Sequence, residues 1–111
     1  MLVGLMFGPQ PKGHWSGSNA GNAGKAYQFL TQGGRYRVIQ RFVDFDSHEH
    51  PVGETWIFRG HSFLPHDDGL ALIVSLDGEQ EWMIRMQLRE EEQGPIDDAL
   101  DEFIAPCEPA G

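Results

Sequence analysis

The chain has 111 residues, is 40% hydrophobic and carries a formal net charge of −9; that allows one domain with one modest core and no second. An acidic surface repels phosphate, which excludes nucleic acid and anionic membrane as main partners. Cys107 is the single cysteine, so neither an internal disulfide nor a zinc site built from thiolates is available.

The charge is uneven. Residues 1–34 carry Lys12 and Lys25 and no acid, whereas residues 35–111 carry six arginines against all seventeen acids, a balance of −11. The opening Met-Leu-Val-Gly-Leu-Met-Phe is apolar but short and has no basic leader, so neither a signal peptide nor a membrane span is expected, and the expected location is the cytoplasm. The stretch from Leu2 to Phe7 is alternatively an added edge strand. Residues 8–24, GPQPKGHWSGSNAGNAG, hold little that offsets the entropy of ordering a backbone. The composition therefore predicts a flexible arm over 1–29, with Trp15 as its one large apolar anchor.

Ala-Tyr-Gln-Phe-Leu, before Gly33-Gly34, predicts at most two turns of helix. The period then changes to two. Tyr36, Val38 and Phe42 alternate with Arg37 and Arg41, which predicts a half-buried strand over Arg35–Val43. Asp44–Gly53 is turn-rich. Glu54–Arg59 resumes the alternation, with Trp56 and Phe58 on one face. Gly60–Gly69 reads as a second long loop, and the nearly continuous apolar run Leu70–Leu76 as a central strand. Asp77-Gly78 predicts a tight primed hairpin turn. Trp82–Leu88 returns as a strand with Trp82, Ile84, Met86 and Leu88 inward. Pro95 opens a helix whose apolar face is Ile96, Ala99, Leu100, Phe103 and Ile104. The expected fold is mainly β (α+β): a small antiparallel curled sheet or SH3-like barrel of about four to five strands, with a C-terminal helix. The expected domain spans 30–105, followed by a tail, 106–111.

The sharpest chemical feature is His48-Glu-His50-Pro-Val-Gly-Glu54-Thr-Trp. Two histidines separated by one residue on an extended segment face one side, and a carboxylate four residues later completes a three-ligand pattern. The spacing partly resembles the first metal motif of cupins, which implies a divalent metal such as zinc, nickel or manganese on His48, His50 and Glu54. This chain departs from that pattern: the glycine before His48 is absent and no histidine follows His66. The plainer reading is a solvated turn leading into a strand. If the two long loops meet at one end of the sheet, His66, Asp67 and Asp68 join the cluster, with His61 or His66 as the missing ligand. There is no phosphate-binding loop and no nucleophile elbow.

From about residue 30 the chain carries Gly34-x-Tyr36-x-Val38, Phe42-x-Asp44, His50-Pro-Val-Gly-Glu-x-Trp56-x-Phe58, Phe63-Leu-Pro-x-x-Asp68-Gly-Leu70 and Ile84-Arg-x-Gln87. In these residues it resembles a small bacterial family catalogued as a domain of unknown function. The resemblance implies a stand-alone, β-rich cytoplasmic domain and brings no activity, cofactor or catalytic residue.

The functional expectation is a non-enzymatic, monomeric binding module without a cofactor. It would hold a protein or peptide on the two loops, through Trp56, Arg59, His66, Asp67, Asp68 and Arg85. The alternative is a cupin-like, metal-dependent enzyme built on His48, His50 and Glu54. An acidic body also suits a basic partner.

Overall fold

The computed structural model describes residues 7–11, 13–14, 23–64 and 69–107. Its strands are β1 (Phe7–Pro11), β2 (Ala23–Gly24), β3 (Ala26–Tyr27), β4 (Leu30–Thr31), β5 (Arg35–Val38), β6 (Phe42–Val43), β7 (Glu49–His50), β8 (Thr55–Leu64), β9 (Gly69–Ser75) and β10 (Gln80–Gln87). A five-residue helix α1 (Gly94–Asp98), a single 3₁₀ turn (Leu100–Glu102) and β11 (Ile104–Pro106) follow. No helix among the described residues is long and apolar enough to cross a membrane.

The protein is mainly β. The main sheet is antiparallel and runs β1-β10-β9-β8-β5-β11, with β2 added to β8. Among the described residues this ladder is an open path longer than the expected four to five strands, and it does not close as an SH3-like barrel. Two small hairpins, β3-β4 and β6-β7, stand off it.

The buried hydrophobic residues form one core. Val38, Trp56, Phe58, Leu70, Leu72, Val74, Ile84, Met86, Leu100 and Ile104 are buried in a single cluster. Removing so many large side chains from water, at about 1.5–3 kcal/mol each, is the main force for folding. Ala71, Ile73 and Ser75 alternate with the core residues of β9 and are buried too. Both faces of that central strand are therefore covered, as its continuous apolar run implies.

The expected loop over Gly60–Gly69 is largely strand, because β8 continues to Leu64. The reason is a bulge at Arg59: Phe58 pairs with Val74, but Gly60 pairs with Ile73. One extra residue shifts the parity. Trp56 and Phe58 face the core before the bulge; after it His61 and Phe63, opposite Leu72 and Leu70, take that side. The alternation read from the sequence stops at Arg59 because its phase reverses, not because the strand ends.

Three other local expectations are corrected. Residues 26–31 form the β3-β4 hairpin and not a helix; Gln28 turns the chain with φ 53°. The Tyr36 hydroxyl fastens this hairpin, accepting from the Thr31 amide at 2.8 Å and donating to the Phe29 carbonyl at 3.2 Å. The Asp77-Gly78 connection is a four-residue bend, 76–79, with Gly78 at φ 83° as a turn demands. The terminal helix ends after Asp98, since Ala99 leaves helical geometry at φ −128°, ψ 39°. Asp101 and Glu102 would sit at the negative end of a longer helix dipole. Ile104 instead pairs with Val38 on the free edge of β5. Leu100 and Ile104 are buried as the periodicity requires, on a turn and a strand.

The N-terminal arm expected over 1–29 is in part structured: β1 pairs with β10, and β2 pairs with His61 and Ser62 of β8. Trp15 lies outside the described residues.

Candidate functional site

The β6-β7 hairpin places Phe42 opposite His50 and Val43 opposite Glu49. Side chains two apart on a strand share a face, so Asp44 points the same way as Phe42 and His50. Asp44 and His50 are both buried, at 2% and 1% exposure. Two burials of ionisable groups in one short hairpin require partners, and they are each other's. His50 Nε2 lies 2.8 Å from Asp44 Oδ2, and His50 Nδ1 lies 2.6 Å from Glu54 Oε2. The Trp56 indole N–H donates to the same Glu54 oxygen at 3.2 Å. Phe42 stacks on the imidazole with ring centroids 4.7 Å apart.

Burial alone would pull the His50 pKa down. The hydrogen bonds to Asp44 and Glu54, and the charges of those carboxylates, overcome it and lift the pKa to about 9. The group is an imidazolium at neutral pH, with each nitrogen donating to a carboxylate. In that state it has no lone pair with which to hold a metal or remove a proton.

Asp44 also builds the turn that carries the hairpin. Its Oδ1 accepts the amides of Asp46 at 2.9 Å and His48 at 3.0 Å, the usual way an Asp nucleates a turn. Ser47 takes φ 66° within it. The turn docks on β10 through Arg85. The guanidinium grips both oxygens of Asp46, at 2.8 and 2.5 Å, and the Arg85 carbonyl accepts the Phe45 amide at 2.8 Å. Arg85 holds the Asp46 carboxyl below the usual range by that hydrogen bond. Since β10 stands three strands from β5, this contact ties the hairpin that follows β5 to a distant strand of the sheet.

The expected metal trio is thus partly assembled, in a different role. His48 and His50 do come to one side, on the same oxygen: His48 Nδ1 is 3.9 Å from Asp44 Oδ2, buried and without a hydrogen-bond partner. His50 and Glu54 are bonded to each other. No group of three metal-ligating side chains converges among the described residues. His61 is held elsewhere, its ring 5.0 Å from Tyr27 and 5.3 Å from Phe63, and burial lowers its pKa. It lies six residues beyond Thr55 on β8, roughly 20 Å away at strand rise.

The expected binding residues divide likewise. Trp56 is fully buried in the core and is not a docking aromatic. Arg59 sits in the bulge with Nε 3.5 Å from the buried Glu81 carboxylate, and Arg85 is committed to Asp46, so both arginines serve the fold. His66, Asp67 and Asp68 lie outside the described residues. Asp44 was not singled out as a site residue, although parity with Phe42 and His50 places it on the buried face. In and around the hairpin Phe45, Val52 and Ile39 are exposed, at 48%, 65% and 40%. Val52 is the second residue of a turn in which the Glu54 amide bonds the Pro51 carbonyl and Gly53 has φ 100°. The Gly53 amide bonds the Val38 carbonyl, which ties this turn to the end of β5.

These features define a class: a mainly β domain of antiparallel strands in which a buried Asp44–His50–Glu54 cluster shapes a turn. The chain belongs to the family described as "Domain of unknown function (DUF3601)", whose model matches residues 17–108. A solved structure, an integron cassette protein from the mobile metagenome of Vibrio cholerae, is similar to it with TM-score 0.71 and 29% identity, over 75% of this chain and 91% of that one. No curated protein matches it.

Proposed function

We propose that this protein is a non-enzymatic binding module of the cytoplasm that holds a protein or peptide on the turn over 44–47 and its neighbour over 51–54. The observation that supports this reading is a contrast within one turn. Asp44–Ser47 is fixed from beneath by a buried His50 and from the side by the Arg85–Asp46 ion pair, yet it holds Phe45 in solvent. A rigid turn that displays an aromatic ring gives contact area with little ordering cost, as recognition loops do. Val52, in the neighbouring turn, is a second exposed apolar group. The −11 body favours a basic partner.

The test is a photo-crosslinking amino acid at position 45 in cells, with Glu102 as an exposed control position. A partner captured from position 45 alone, whose purified form binds Phe45→Ala at least tenfold more weakly, supports the reading. Equal capture from both positions, or unchanged affinity of Phe45→Ala, rejects it. The cupin-like alternative requires His50 to give up a carboxylate. Micromolar binding of zinc, nickel or manganese with a shift of the His50 ring signals would bring it forward.

A further inference from the structure

We propose that the outer edge of β10 is an acceptor for an extended peptide, occupied here by the chain's own N-terminal strand, and that its foreign occupant is a basic, glycine-containing strand that imitates residues 7–13. This surface is separate from the Phe45 turn and does not depend on its reading. β1 pairs with β10 through Phe7 opposite Met83, Gln10 opposite Glu81 and Pro11 opposite Gln80, with an irregularity between the first two. Two of its five residues, Pro9 and Pro11, have no amide to give to the ladder. A ladder this short and broken is weakly held. The segment also precedes residue 17, where the family match begins, whereas β10 lies within that match.

The anchor beyond β1 is chemically specific. Pro11 to His14 form a turn closed by the His14 amide on the Pro11 carbonyl at 2.9 Å, with Gly13 at φ 88°. That conformation favours glycine. It aims the Gly13 amide at Glu81 Oε2, 3.0 Å away. Glu81 is fully buried, with Arg59 3.5 Å from the same oxygen. The site thus reads backbone shape and one N–H, the currency of strand addition. Charge adds a bias, because the segment over 1–34 is +2 and the remainder −11. Beyond β1 the Arg85 carbonyl is taken by the Phe45 amide, so the peptide edge ends before the Phe45 turn.

The experiment uses the full chain and a synthetic peptide with the sequence of residues 7–14. Gly13→Pro removes the amide and forbids the positive φ, which loosens the internal strand and leaves the buried Glu81 with Arg59. The peptide is expected to bind this variant at least tenfold more tightly than the wild type, shifting the amide signals of Gln80 to Met83. A peptide with Glu in place of Lys12 should bind more weakly at low salt. Hydrogen exchange on the wild type supplies an arm that needs no variant: β1 should open at far lower protection than the β8-β9 ladder. Equal protection of the two, or equal peptide affinity of variant and wild type, overturns the proposal. A concentration-dependent dimer of the wild type that moves the same signals assigns the edge to a second copy and overturns a foreign occupant.

Discussion

His50 is the residue on which the turn depends. Removing the cation leaves Asp44 fully buried and Glu54 largely so, with no counter-charge, and breaking such a pair costs about 3–5 kcal/mol. His50→Gln should lower the free energy of urea unfolding by that amount at pH 7, while His48→Gln, which removes a half-buried ring, should cost less than about 1 kcal/mol. The pH dependence has a definite sign. The folded pKa of about 9 lies above the ordinary 6.5, so the contribution is whole below 6.5 and is lost as pH rises through 9. Urea midpoints should fall across that window, and the His50 ring carbons should titrate near its upper end. A midpoint near 6.5 would contradict the buried imidazolium. The sequence displayed His48, His50 and Glu54 plainly, but it did not display their use. Nothing in a run of acids and histidines says which nitrogen meets which oxygen. That follows from Phe42 pairing with His50, a register visible only once the hairpin exists.

At the scale of elements, strands with constant parity were legible and those with a phase change were not. The strands expected over Leu70–Leu76 and Trp82–Leu88 form as Gly69–Ser75 and Gln80–Gln87, the first because its apolar run is continuous, the second because Trp82, Ile84 and Met86 keep one alternation. Arg59 hid five residues of β8, since one inserted residue moves every later side chain to the other face. Inserting one alanine between Gly60 and His61 should therefore turn His61 and Phe63 away from the core, whereas deletion of Arg59, the extra residue itself, should leave their facing unchanged. The expected loss for the insertion is about 3 kcal/mol or more, the scale of deleting one large core aromatic, read by urea unfolding with the dispersion of the amide spectrum. An insertion variant as stable as wild type would show that the register of β8 does not set the faces. The terminal helix misled for a related reason: Ile96, Leu100 and Ile104 keep a spacing of four, yet the free edge of β5 offered Ile104 three ladder pairs that a frayed, acidic helix end could not match.

At the scale of the whole molecule, β10 is tied to the 44–47 turn by single contacts and not by a ladder. The Phe45–Arg85 contact joins residues 40 apart in sequence, so its loop-closure entropy must be met before it contributes. It should form after the β8-β9-β10 meander. Asp46→Ala is then expected to raise the unfolding rate and leave the folding rate within about twofold, the signature of a contact absent from the transition state. A matching fall in folding rate, measured by stopped flow, would place the turn in the nucleus. The open path has one more consequence, for solubility. A sheet that does not close leaves two terminal strands, each a template for fibril growth. Here both end strands carry proline, Pro9 and Pro11 in β1 and Pro106 in β11, which starves an incoming strand of donors. β10 has none over Gln80–Gln87, so whatever lifts β1 away uncovers a proline-free border at Gln80–Met83 and ties the protein's readiness to bind to its tendency to aggregate.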